Sequence, residues 1–490
     1  MPTLSPISYT NLQSGLLTEG SVAESQMPLT AVTESVNFHF DKIGSAIIRP
    51  GTTALGQQLT GNCLGLYEFR NSTGSNNQII SVFGTTVYYL ATNTWTSIRT
   101  VTTGKKARFT TFLNFAWMVN GTDATAIWDG VVGDGWVTTG NASGAPIGQF
   151  IENFRSRVWI AGNSTYPDRI YYSEIPTAAT TPVVTWNTDV STGNWIDISP
   201  QDGDTITGMK RSSDALLIFK KSHLYRVYSI SETEPDPKIN VGTWSNESIV
   251  EAKDGIYFHS PTGFFQYTSS GLSEISRPII DIVHAITLAN WSTVCGWSDD
   301  DHVYWAVGAV TYNGVTYSNM VVRYTNSTQV WTHYNYPTQF LARSDYNDSS
   351  VINKLVGDNN GSILKTNTGT TDAGTPINYS LVHRWYSIDG FQSTQDNITN
   401  MCFVHQHGTG TKVEYQIDND LPTTWRPLGK TFSDYDTLYN SISIKGRRVR
   451  FKLSGTSTGT GFEYKGWELR GQQPLFLFLK KVICIEFIHL

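Results

Sequence analysis

The sequence predicts an all-β protein, and its composition gives three reasons. Only 16% of the 490 residues are charged, so neither disorder nor long, solvent-exposed helices are expected. The chain contains 42 glycines and 18 prolines, which punctuate it with turns. Aromatic residues reach 12%, with 15 tryptophans and 24 tyrosines, and these side chains favour the half-buried surface of a sheet.

A repeated pair of strands indicates the architecture. Each repeat has a short apolar strand, a polar turn, and a second strand rich in Tyr, Val, Ile or Phe. Consecutive second strands are separated by roughly 40 to 57 residues, which is the period of a propeller blade. The sequence therefore predicts a β-propeller of about seven blades over residues 76–374. The seven pairs are 79–83 with 87–90, 115–119 with 126–128, 158–161 with 169–172, 216–219 with 224–227, 256–258 with 264–267, 303–306 with 321–324, and 354–356 with 363–365.

Three repeats continue into a further strand that bears a tryptophan, at Trp95, Trp136 and Trp331. We expect this to be the outer strand of a blade, where a large ring packs between adjacent sheets. A β-sandwich also has regular strands and turns, but it gives no reason for a repeat of this length. The propeller is therefore favoured.

The remaining segments follow from local patterns. Residues 1–75 are predicted to form strands that close or brace the propeller. One helix is predicted inside the array, with Ser276 as its cap and Pro278 in its first turn. After Trp385 the repeat stops, and alternating strands predict a small C-terminal β-sandwich over residues 375–472.

The last segment, residues 473–490, is an apolar tail. It is too short and too charged to span a bilayer, because two lysines and a glutamate interrupt it. A strand of this kind needs a partner strand or a subunit groove, or it docks on its own domain.

Charge and cysteine usage exclude several classes of function. The chain has 35 basic and 41 acidic side chains, a net charge of −6, so it lacks the electrostatic signature of a nucleic-acid-gripping protein. Cys63, Cys295, Cys402 and Cys484 lie far apart, which fits neither a disulfide framework nor a zinc module and predicts reduced, buried thiols. Residues 1–20 show no secretory signal, so the protein is expected to stay in the cytosol or to leave by lysis.

Motifs that could carry catalysis or metal binding are weak. Gly455 to Gly459 reads G-x-S-x-G, but that motif needs a helix after it, and here a strand follows, as in a hairpin loop. Cys402, His405 and His407 could offer metal ligands on a strand, yet no second ligand cluster accompanies them, so ordinary strand histidines are favoured. We therefore predict no catalytic residue, no metal and no cofactor.

Clusters of carboxylates recur at predicted turns, where Asp and Asn side chains bond the local backbone. None has the spacing of a calcium loop, and the repeated sialidase box is absent apart from a fragment at 387–390. We interpret most of them as turn residues. The clusters are Asp129 and Asp134, Asp202 and Asp204, Asp299 to Asp301, Asp345 and Asp348, and Asp418 and Asp420.

Arg448, Arg450 and Lys452 alternate with three apolar residues, which places three cations on one face of a strand. A solvated outer face is the usual explanation. The sharper hypothesis is a docking patch for an acidic partner or for a passing phosphate backbone. These three residues are the candidate partner-docking patch.

Several motifs, taken in their order along the chain, resemble the tail hub, or nozzle, proteins of short-tailed bacteriophages. The resemblance covers residues from about 10 to 470, and its motifs are structural. The apolar tail at 473–490 departs from the end expected of that family. The motifs are Asn11 to Leu16, Val36 to Asp41 with Gly44, Ile48 to Gly51, Asp168 to Ser173, and Asp202 to Met209 ahead of Leu217 to Lys220.

The resemblance implies a structural virion protein with no enzymatic activity. Proteins of this kind form a homohexameric ring below the portal and its head-to-tail adaptor proteins. Tail fibres or spikes are further candidate partners. The viral DNA is retained and ejected through the channel without sequence-specific binding. The implied location is the virion tail, assembled in the host cytoplasm. An acidic protein suits a conduit, because it repels DNA at short range while salt screens the field within about 10 Å.

Two alternatives from other classes remain open. One is a receptor- or glycan-binding propeller adhesin, which a trimeric state would favour. The other is a propeller glycoside hydrolase acting on host-surface glycans. A pair of carboxylates about 5 to 10 Å apart in one cleft would favour the hydrolase.

Overall fold

The computed structural model describes residues 7–18, 26–72, 74, 77–176, 183–231, 239–348, 351–387, 396–457 and 461–469. The chain divides into two compact units. One unit, called here the sandwich, comprises Met1–Arg49, Val330–Thr332 and Pro376–Leu490. The other, called the propeller, comprises Pro50–Gln329 and His333–Thr375. The predicted apolar tail at 473–490 lies outside the described residues.

The chain begins in the sandwich with five short strands. Three of them are largely buried, which anchors this part of the chain to a core. The strands are β1 (Ile7–Tyr9), β2 (Gly15–Leu16), β3 (Ala31–Val36), β4 (Phe38–His39) and β5 (Ala46–Ile48).

The propeller follows, and the described residues form seven successive antiparallel sheets, its blades. The first strand, β6 (Thr53–Ala54), precedes the array. Blade one comprises β7 (Cys63–Phe69), β8 (Gln78–Phe83), β9 (Thr86–Ala91) and β10 (Thr94–Thr100), and blade two comprises β11 (Arg108–Phe112), β12 (Phe115–Val119) and β13 (Ala126–Trp128). Blade three comprises β14 (Phe150–Phe154), β15 (Arg157–Ala161), β16 (Arg169–Tyr172) and β17 (Trp195–Asp197). Blade four comprises β18 (Ile206–Arg211), β19 (Leu216–Lys220) and β20 (Leu224–Val227).

Blades five to seven complete the array, and a short two-stranded ladder follows them. Blade five comprises β21 (Val250–Ala252), β22 (Gly255–Ser260), β23 (Gly263–Thr268) and β24 (Gly271–Glu274). Blade six comprises β25 (Cys295–Ser298), β26 (His302–Tyr312), β27 (Val315–Thr325) and β28 (Val330–Asn335), and the first three residues of β28 are those counted with the sandwich. Blade seven comprises β29 (Phe340–Asp348), β30 (Val351–Asp358), β31 (Ile363–Lys365) and β6, and the ladder is β32 (Thr371–Asp372) with β33 (Thr375–Pro376).

The all-β class and the propeller are thus confirmed. The seven predicted strand pairs correspond to the second and third strands of the seven blades. The pattern missed the innermost strands, so the array starts at Cys63 and not at residue 76. These strands carry charged side chains such as Arg108, Glu152 and Arg343, because one of their faces lines the central channel.

Apolar clusters between neighbouring blades hold the propeller together. The cluster between blades one and two, for example, joins Ile80 and Val82 to Met118 and Trp128, all nearly inaccessible to solvent. Trp95 lies on the outermost strand of blade one, as predicted, and packs in the cluster shared with blade seven. Each sheet therefore buries both faces against its neighbours, as the repeat requires.

The ring is closed by β6, which comes from the N-terminal side of the array. It pairs antiparallel with β31, placing Ala54 opposite Leu364. The next residue extends this pairing, because the Leu55 N–H donates to the Ile363 carbonyl at 2.8 Å. Leu55 is 7% exposed and packs with Cys63 of blade one in the cluster that also includes residues of blade seven. One short segment thus joins the two ends of the ring.

Two α-helices lie between blades five and six in the described chain, α1 (Ile280–Ala285) and α2 (Leu288–Trp291). A 3₁₀ turn at Arg277–Ile279 containing Pro278 precedes α1, so the predicted helix exists. Its predicted cap was wrong. The Ser276 hydroxyl makes no capping bond and instead accepts from the Phe264 N–H and donates to Glu274, which ties the turn to blade five.

The chain then returns to the sandwich. Its strands here are β34 (Asn378–His383), β35 (Tyr386–Ser387), β36 (Asp396–Ile398), β37 (Met401–Gln406), β38 (Lys412–Ile417), β39 (Arg426–Pro427), β40 (Tyr435–Tyr439), β41 (Ile444–Gly446), β42 (Arg448–Thr456) and β43 (Glu463–Leu469). Two sheets enclose one core, one in the order β4-β5-β43-β37-β40 with β1 on β43, and the other in the order β3-β34-β42-β38-β39 with β2 on β3 and β35 on β42. The pairing of β2 with β3 is parallel and the other pairings are antiparallel, including that of β36 with β41.

The sandwich is larger than the segment 375–472 that the sequence indicated. Strand β5 pairs with β43, and β3 pairs with β34, so N-terminal strands supply part of both sheets. Local periodicity cannot reveal this, because the paired strands are separated by more than 300 residues in the chain. No helix of the described chain is long and apolar enough to cross a membrane.

His383 is fully buried in the sandwich core between two tyrosines. Its Nδ1 lies 3.1 Å from the Tyr386 hydroxyl, and its Nε2 lies 2.8 Å from the Tyr464 hydroxyl. Burial lowers the pKa of His383 to about 3. The ring is therefore neutral at neutral pH, and the hydroxyl groups satisfy both of its nitrogens.

We expect Leu55→Ala to destabilise the propeller by about 2–5 kcal/mol, the usual cost of truncating a buried leucine. Leu288→Ala is the matched control, because Leu288 is 60% exposed on α2. Urea unfolding followed by tryptophan fluorescence measures both changes. Equal effects of the two substitutions would show that closure at β6 contributes little to stability.

His383 makes the stability of the sandwich pH-dependent. The unfolded chain binds a proton on this ring below about pH 6.5, whereas the folded chain does not until about pH 3. Stability is therefore lost as the pH falls from 6.5 toward 3, by about 2 kcal/mol between pH 7 and pH 5 for this one residue.

His383→Gln should reduce that pH dependence by this amount, whatever it does to stability at pH 7. The exposed His284, changed to Gln, is the control and should leave the dependence intact. Urea midpoints measured at pH 7, 6 and 5 test this. An unchanged slope in His383→Gln would contradict a neutral, buried ring.

Candidate functional site

The central channel of the propeller is lined by paired charges. Its cavity has a volume of about 480 Å³ and receives side chains from six of the seven blades. Five cations and four carboxylates lie along it, so the lining is nearly balanced in charge. They are Lys106, Arg108, Lys210, Arg343 and Lys354, with Glu68, Glu247, Glu251 and Asp345.

Glu247 is the centre of the strongest charge cluster. It lies in a 3₁₀ turn at Asn246–Ser248, and its side chain is 14% exposed. Lys106 Nζ lies 3.0 Å from one carboxylate oxygen, and Arg108 Nε lies 2.8 Å from the other. Burial alone raises the pKa of this carboxyl, but Arg108 and Lys106 outweigh it and hold the pKa well below its usual range. The group is therefore a carboxylate that ties blade two to the start of blade five.

Further ion pairs continue around the channel. Lys210 Nζ lies 2.9 Å from Glu251 and 3.9 Å from Glu152, so it links blade four to blades five and three. Lys354 pairs with Asp345 at 2.7 Å. The Lys210 pairs join neighbouring blades, the Glu247 cluster joins blades two and five, and the Lys354 pair lies within blade seven. Together these pairs leave the channel wall with little net charge.

This lining bears on the hydrolase alternative. Glu152 and Glu251 lie close together, as a carboxylate pair should, but the ammonium of Lys210 lies between them. Burial raises the pKa of Glu251, but Lys210 outweighs it and lowers that pKa. A glycosidase acid needs the opposite, a carboxyl whose pKa is raised so that it holds a proton near neutral pH. Glu251 and Glu247 therefore lack the raised pKa that is typical of a glycosidase acid.

The other predicted chemical residues have local partners. Among the described residues no group of three or more His, Cys, Asp or Glu is placed to hold a metal. His405 stacks on Phe432 and meets the Thr437 hydroxyl at 2.9 Å, while His407 lies 3.3 Å from Asp434. Cys402 is buried and lies on the same strand as His405.

The thiols of Cys63 and Cys295 are free and buried, as expected. Burial raises the pKa of Cys295 to about 11, so its reactive thiolate form is rare at neutral pH. Cys402 is likewise buried, and its thiol donates to the Phe403 carbonyl at 3.7 Å. Cys484 and part of the 387–390 fragment lie outside the described residues, as does the end of the Gly455 to Gly459 motif.

Most acidic clusters are turn residues, as the sequence indicated. Asp129 accepts the N–H of Val131 at 3.0 Å, and Asp202 accepts the N–H of Asp204 at 3.0 Å. Asp345 differs, because it lies within the long strand β29 and forms the channel ion pair.

Three of the segments that carry the phage resemblance meet at one buried lysine. Lys220, which is 0% exposed, donates to Asp168 at 2.9 Å and to Asp202 at 2.8 Å. Its remaining bonds go to the carbonyl oxygens of Ser199 and Asp204, both at 3.1 Å. A buried ammonium requires such partners, so these segments form one node between blades three and four.

A second node lies in the sandwich, between the other motif segments. Asn37 adopts a left-handed conformation with φ 61°, and its side-chain oxygen accepts from Arg49 Nε at 2.8 Å. Its side-chain amide donates to the Asn378 carbonyl at 2.6 Å. Arg49 is 2% exposed, so the bond between these two side chains is buried.

The predicted cationic face lies on β42 of the sandwich. Val449, Phe451 and Leu453 are buried in the core, while the alternating cations lie on the other side of the strand, partly exposed. The carbon of the Arg450 guanidinium lies 4.6 Å from the ring centre of Trp385 and 5.3 Å from that of Trp425. Its Nε donates to Gln416 at 2.8 Å.

The two outer cations share the same rings. The Arg448 guanidinium lies 5.2 Å from the ring centre of Trp385, and Lys452 Nζ lies 5.5 Å from that of Trp425. Sequence reasoning found the cations through their alternation. It missed both tryptophans, because they come from two other segments that only strand pairing brings alongside β42.

Comparison with known proteins gives no family. No family model matches the chain, and no curated protein matches it by sequence. Similar solved structures include YCF48 from Cyanidioschyzon merolae, at 11% identity and a TM-score of 0.39, with 64% of this chain and 98% of that chain covered. YCF48 bound to D1 peptide is similar at 13% identity and a TM-score of 0.38, with 66% of this chain and 96% of that chain covered. BamB from Moraxella catarrhalis is similar over 74% of this chain and 96% of its own, at 9% identity and a TM-score of 0.39.

We expect Glu247→Gln to destabilise the propeller by about 3–5 kcal/mol, because it leaves two half-buried cations without their shared carboxylate. The matched control is Glu251→Gln, whose side chain is 57% exposed and whose ion pair should contribute about 0–1 kcal/mol. Urea unfolding at pH 7 compares the two variants. A Glu247→Gln protein as stable as the control would refute the role given to this cluster.

Proposed function

We propose that the chain is a structural subunit of a bacteriophage tail, a hub or nozzle protein. In this proposal copies of the chain form a ring-shaped channel below the portal and its adaptor proteins, and the genome is retained and ejected through that ring. The protein is a scaffold of the virion tail and has no catalytic role.

The observation that carries the proposal is the Lys220 node. The sequence resemblance to tail hub proteins rests on scattered motifs, and three of them supply Asp168, Asp202 and Lys220, which bond to one another in the interior. Replacing one member of a buried ion pair destabilises the protein, so the three residues depend on one another. Their presence together in the motifs that resemble tail hub proteins therefore supports a common construction of the propeller. The Asn37 and Arg49 node supports the proposal in the same way for the N-terminal motifs.

The paired channel lining also fits a scaffold. Its ion pairs occupy the channel inside each propeller. In this proposal the DNA therefore passes through a different opening, the central hole of the ring of subunits. A chain of net charge −6 would not grip the passing polyanion, and ejection would not stall.

The test is the oligomeric state of the purified protein, measured by mass photometry with negative-stain images of the same sample. We expect a particle of six copies of the 54.5 kDa chain, with six-fold symmetry and a central hole. A persistent monomer at high concentration would contradict a ring that assembles by itself.

A stable trimer would also contradict the tail hub and would favour the glycan-binding adhesin or the hydrolase. Release of reducing sugar from host-surface polysaccharide would then separate these two. The control for that assay is Glu152→Gln, which removes one of the two carboxylates around Lys210.

A further inference from the structure

We propose that the central channel of the propeller binds a small, doubly charged oxyanion, such as phosphate, sulfate or the phosphate group of a small ester. The site consists of Lys106, Arg108 and Arg343 and is called here the anion site. All three side chains line the same cavity of about 480 Å³. This role goes beyond the proposed function and holds whether or not the chain is a tail protein.

Two of the three cations come from one short stretch of blade two. Arg108 begins strand β11, and Lys106 lies two positions before it. Glu247 accepts from both, from Lys106 Nζ at 3.0 Å and from Arg108 Nε at 2.8 Å. The two side chains are 25% and 16% exposed, so both charges are largely shielded from bulk water.

Arg343, on strand β29 of blade seven, supplies the third cation. Its Nη2 donates to the carbonyl of Ile249, two residues after Glu247, which brings the guanidinium to the same segment of the channel wall. Burial raises the pKa of the Cys295 thiol to about 11, whereas Arg343 and Lys106 act to lower it. Both cations therefore lie within electrostatic range of one sulfur atom, in one region of the cavity.

The anion site carries more positive charge than its carboxylate neutralises. Its three cations share one ion-paired carboxylate in the described chain, that of Glu247, so three positive charges less one negative charge leave two. Each other carboxylate of the cavity has a cation of its own at ion-pair distance. These pairs are Glu68 with Arg70 at 2.8 Å, Glu251 with Lys210 at 2.9 Å, and Asp345 with Lys354 at 2.7 Å.

The N–H groups of the site define the ligand. Within the described chain Lys106 uses one N–H of its ammonium, and Arg343 uses one N–H of Nη2. Arg108 uses Nε and one N–H of Nη1, the latter for the Gln149 carbonyl. Most N–H groups of the three cations therefore have no acceptor there. Phosphate and sulfate accept from several cations at once and bind a guanidinium through two oxygens, which chloride cannot do.

The surroundings strengthen binding at this site. Charges that are partly withdrawn from water attract an anion more strongly than exposed charges do. Glu247 and the Ile249 carbonyl already hold the three side chains in place, so less conformational entropy is lost when an anion binds. We therefore expect saturable binding of one anion per chain.

Isothermal titration calorimetry of the full chain tests the proposal. Sodium phosphate and sodium sulfate are titrated separately at pH 7.5 in a constant background of sodium chloride, which screens unspecific attraction. We expect saturable binding of both anions. No saturable binding of either anion by the unaltered chain would overturn the proposal.

Arg343→Gln locates the site and should weaken phosphate binding at least tenfold. Arg277→Gln is the matched control, because it makes the same substitution at an exposed arginine of the propeller that does not line this cavity. It should change binding less than twofold. Equal losses in the two variants would overturn the proposal, and urea unfolding confirms that each variant is folded.

Glu251→Gln tests the site independently, because its effect has the opposite sign. Burial raises the pKa of Glu251, while Lys210 and, more weakly, Arg343 lower it, so this carboxylate competes for the positive charge of the cavity. Its removal should tighten phosphate binding at least twofold. Weaker binding by this variant would overturn the proposal.

Glucose 6-phosphate identifies the source of the anion in the same assay. Binding at least tenfold tighter than that of inorganic phosphate would support a site for a phosphate ester. Equal or weaker binding would support a site for the free anion.

Discussion

Closure of the blade ring is the constraint on which the propeller depends. Each blade is a small antiparallel sheet with two apolar faces, and it is stable only when both faces pack against neighbours. Strand β6 joins the last blade to the N-terminal side of the array, and Leu55 packs among residues of the first and last blades. Charged side chains inside the ring also need partners. Glu247 is buried between two cations, and Lys220 is buried among two carboxylates and two carbonyl oxygens.

The parts of the fold that the sequence predicted are those whose pattern is local. The second and third strands of every blade are short apolar runs such as Leu216 to Phe219, so their repeat was visible. The inner strands were missed, because their channel face carries charges such as Arg108 and Glu152. The N-terminal strands of the sandwich were not assigned to it, since β3 and β5 pair with strands more than 300 residues away.

In the candidate sites, too, the sequence predicted the residues that share a local pattern and missed those that distant segments supply. Alternation along β42 identified Arg448, Arg450 and Lys452, because a strand has a period of two whatever surrounds it. Trp385 and Trp425, which turn a row of cations into an ordered surface, come from other segments and had no signal in the sequence. The channel ion pairs were equally invisible, since Glu247, Lys106 and Lys210 come from three different blades.

The division of the sandwich between the two ends of the chain has a consequence for synthesis on the ribosome. Strands β3 and β5 emerge before the propeller, but their partners β34 and β43 emerge only after it. At 5–20 residues per second the interval is roughly 20–80 s. During that time apolar strands with unpaired edges are exposed, which is the condition under which strands aggregate. The propeller can fold once β31 and β6 have both emerged, whereas β3 and β5 remain unpaired until the sandwich forms, which makes them a target for a chaperone during synthesis.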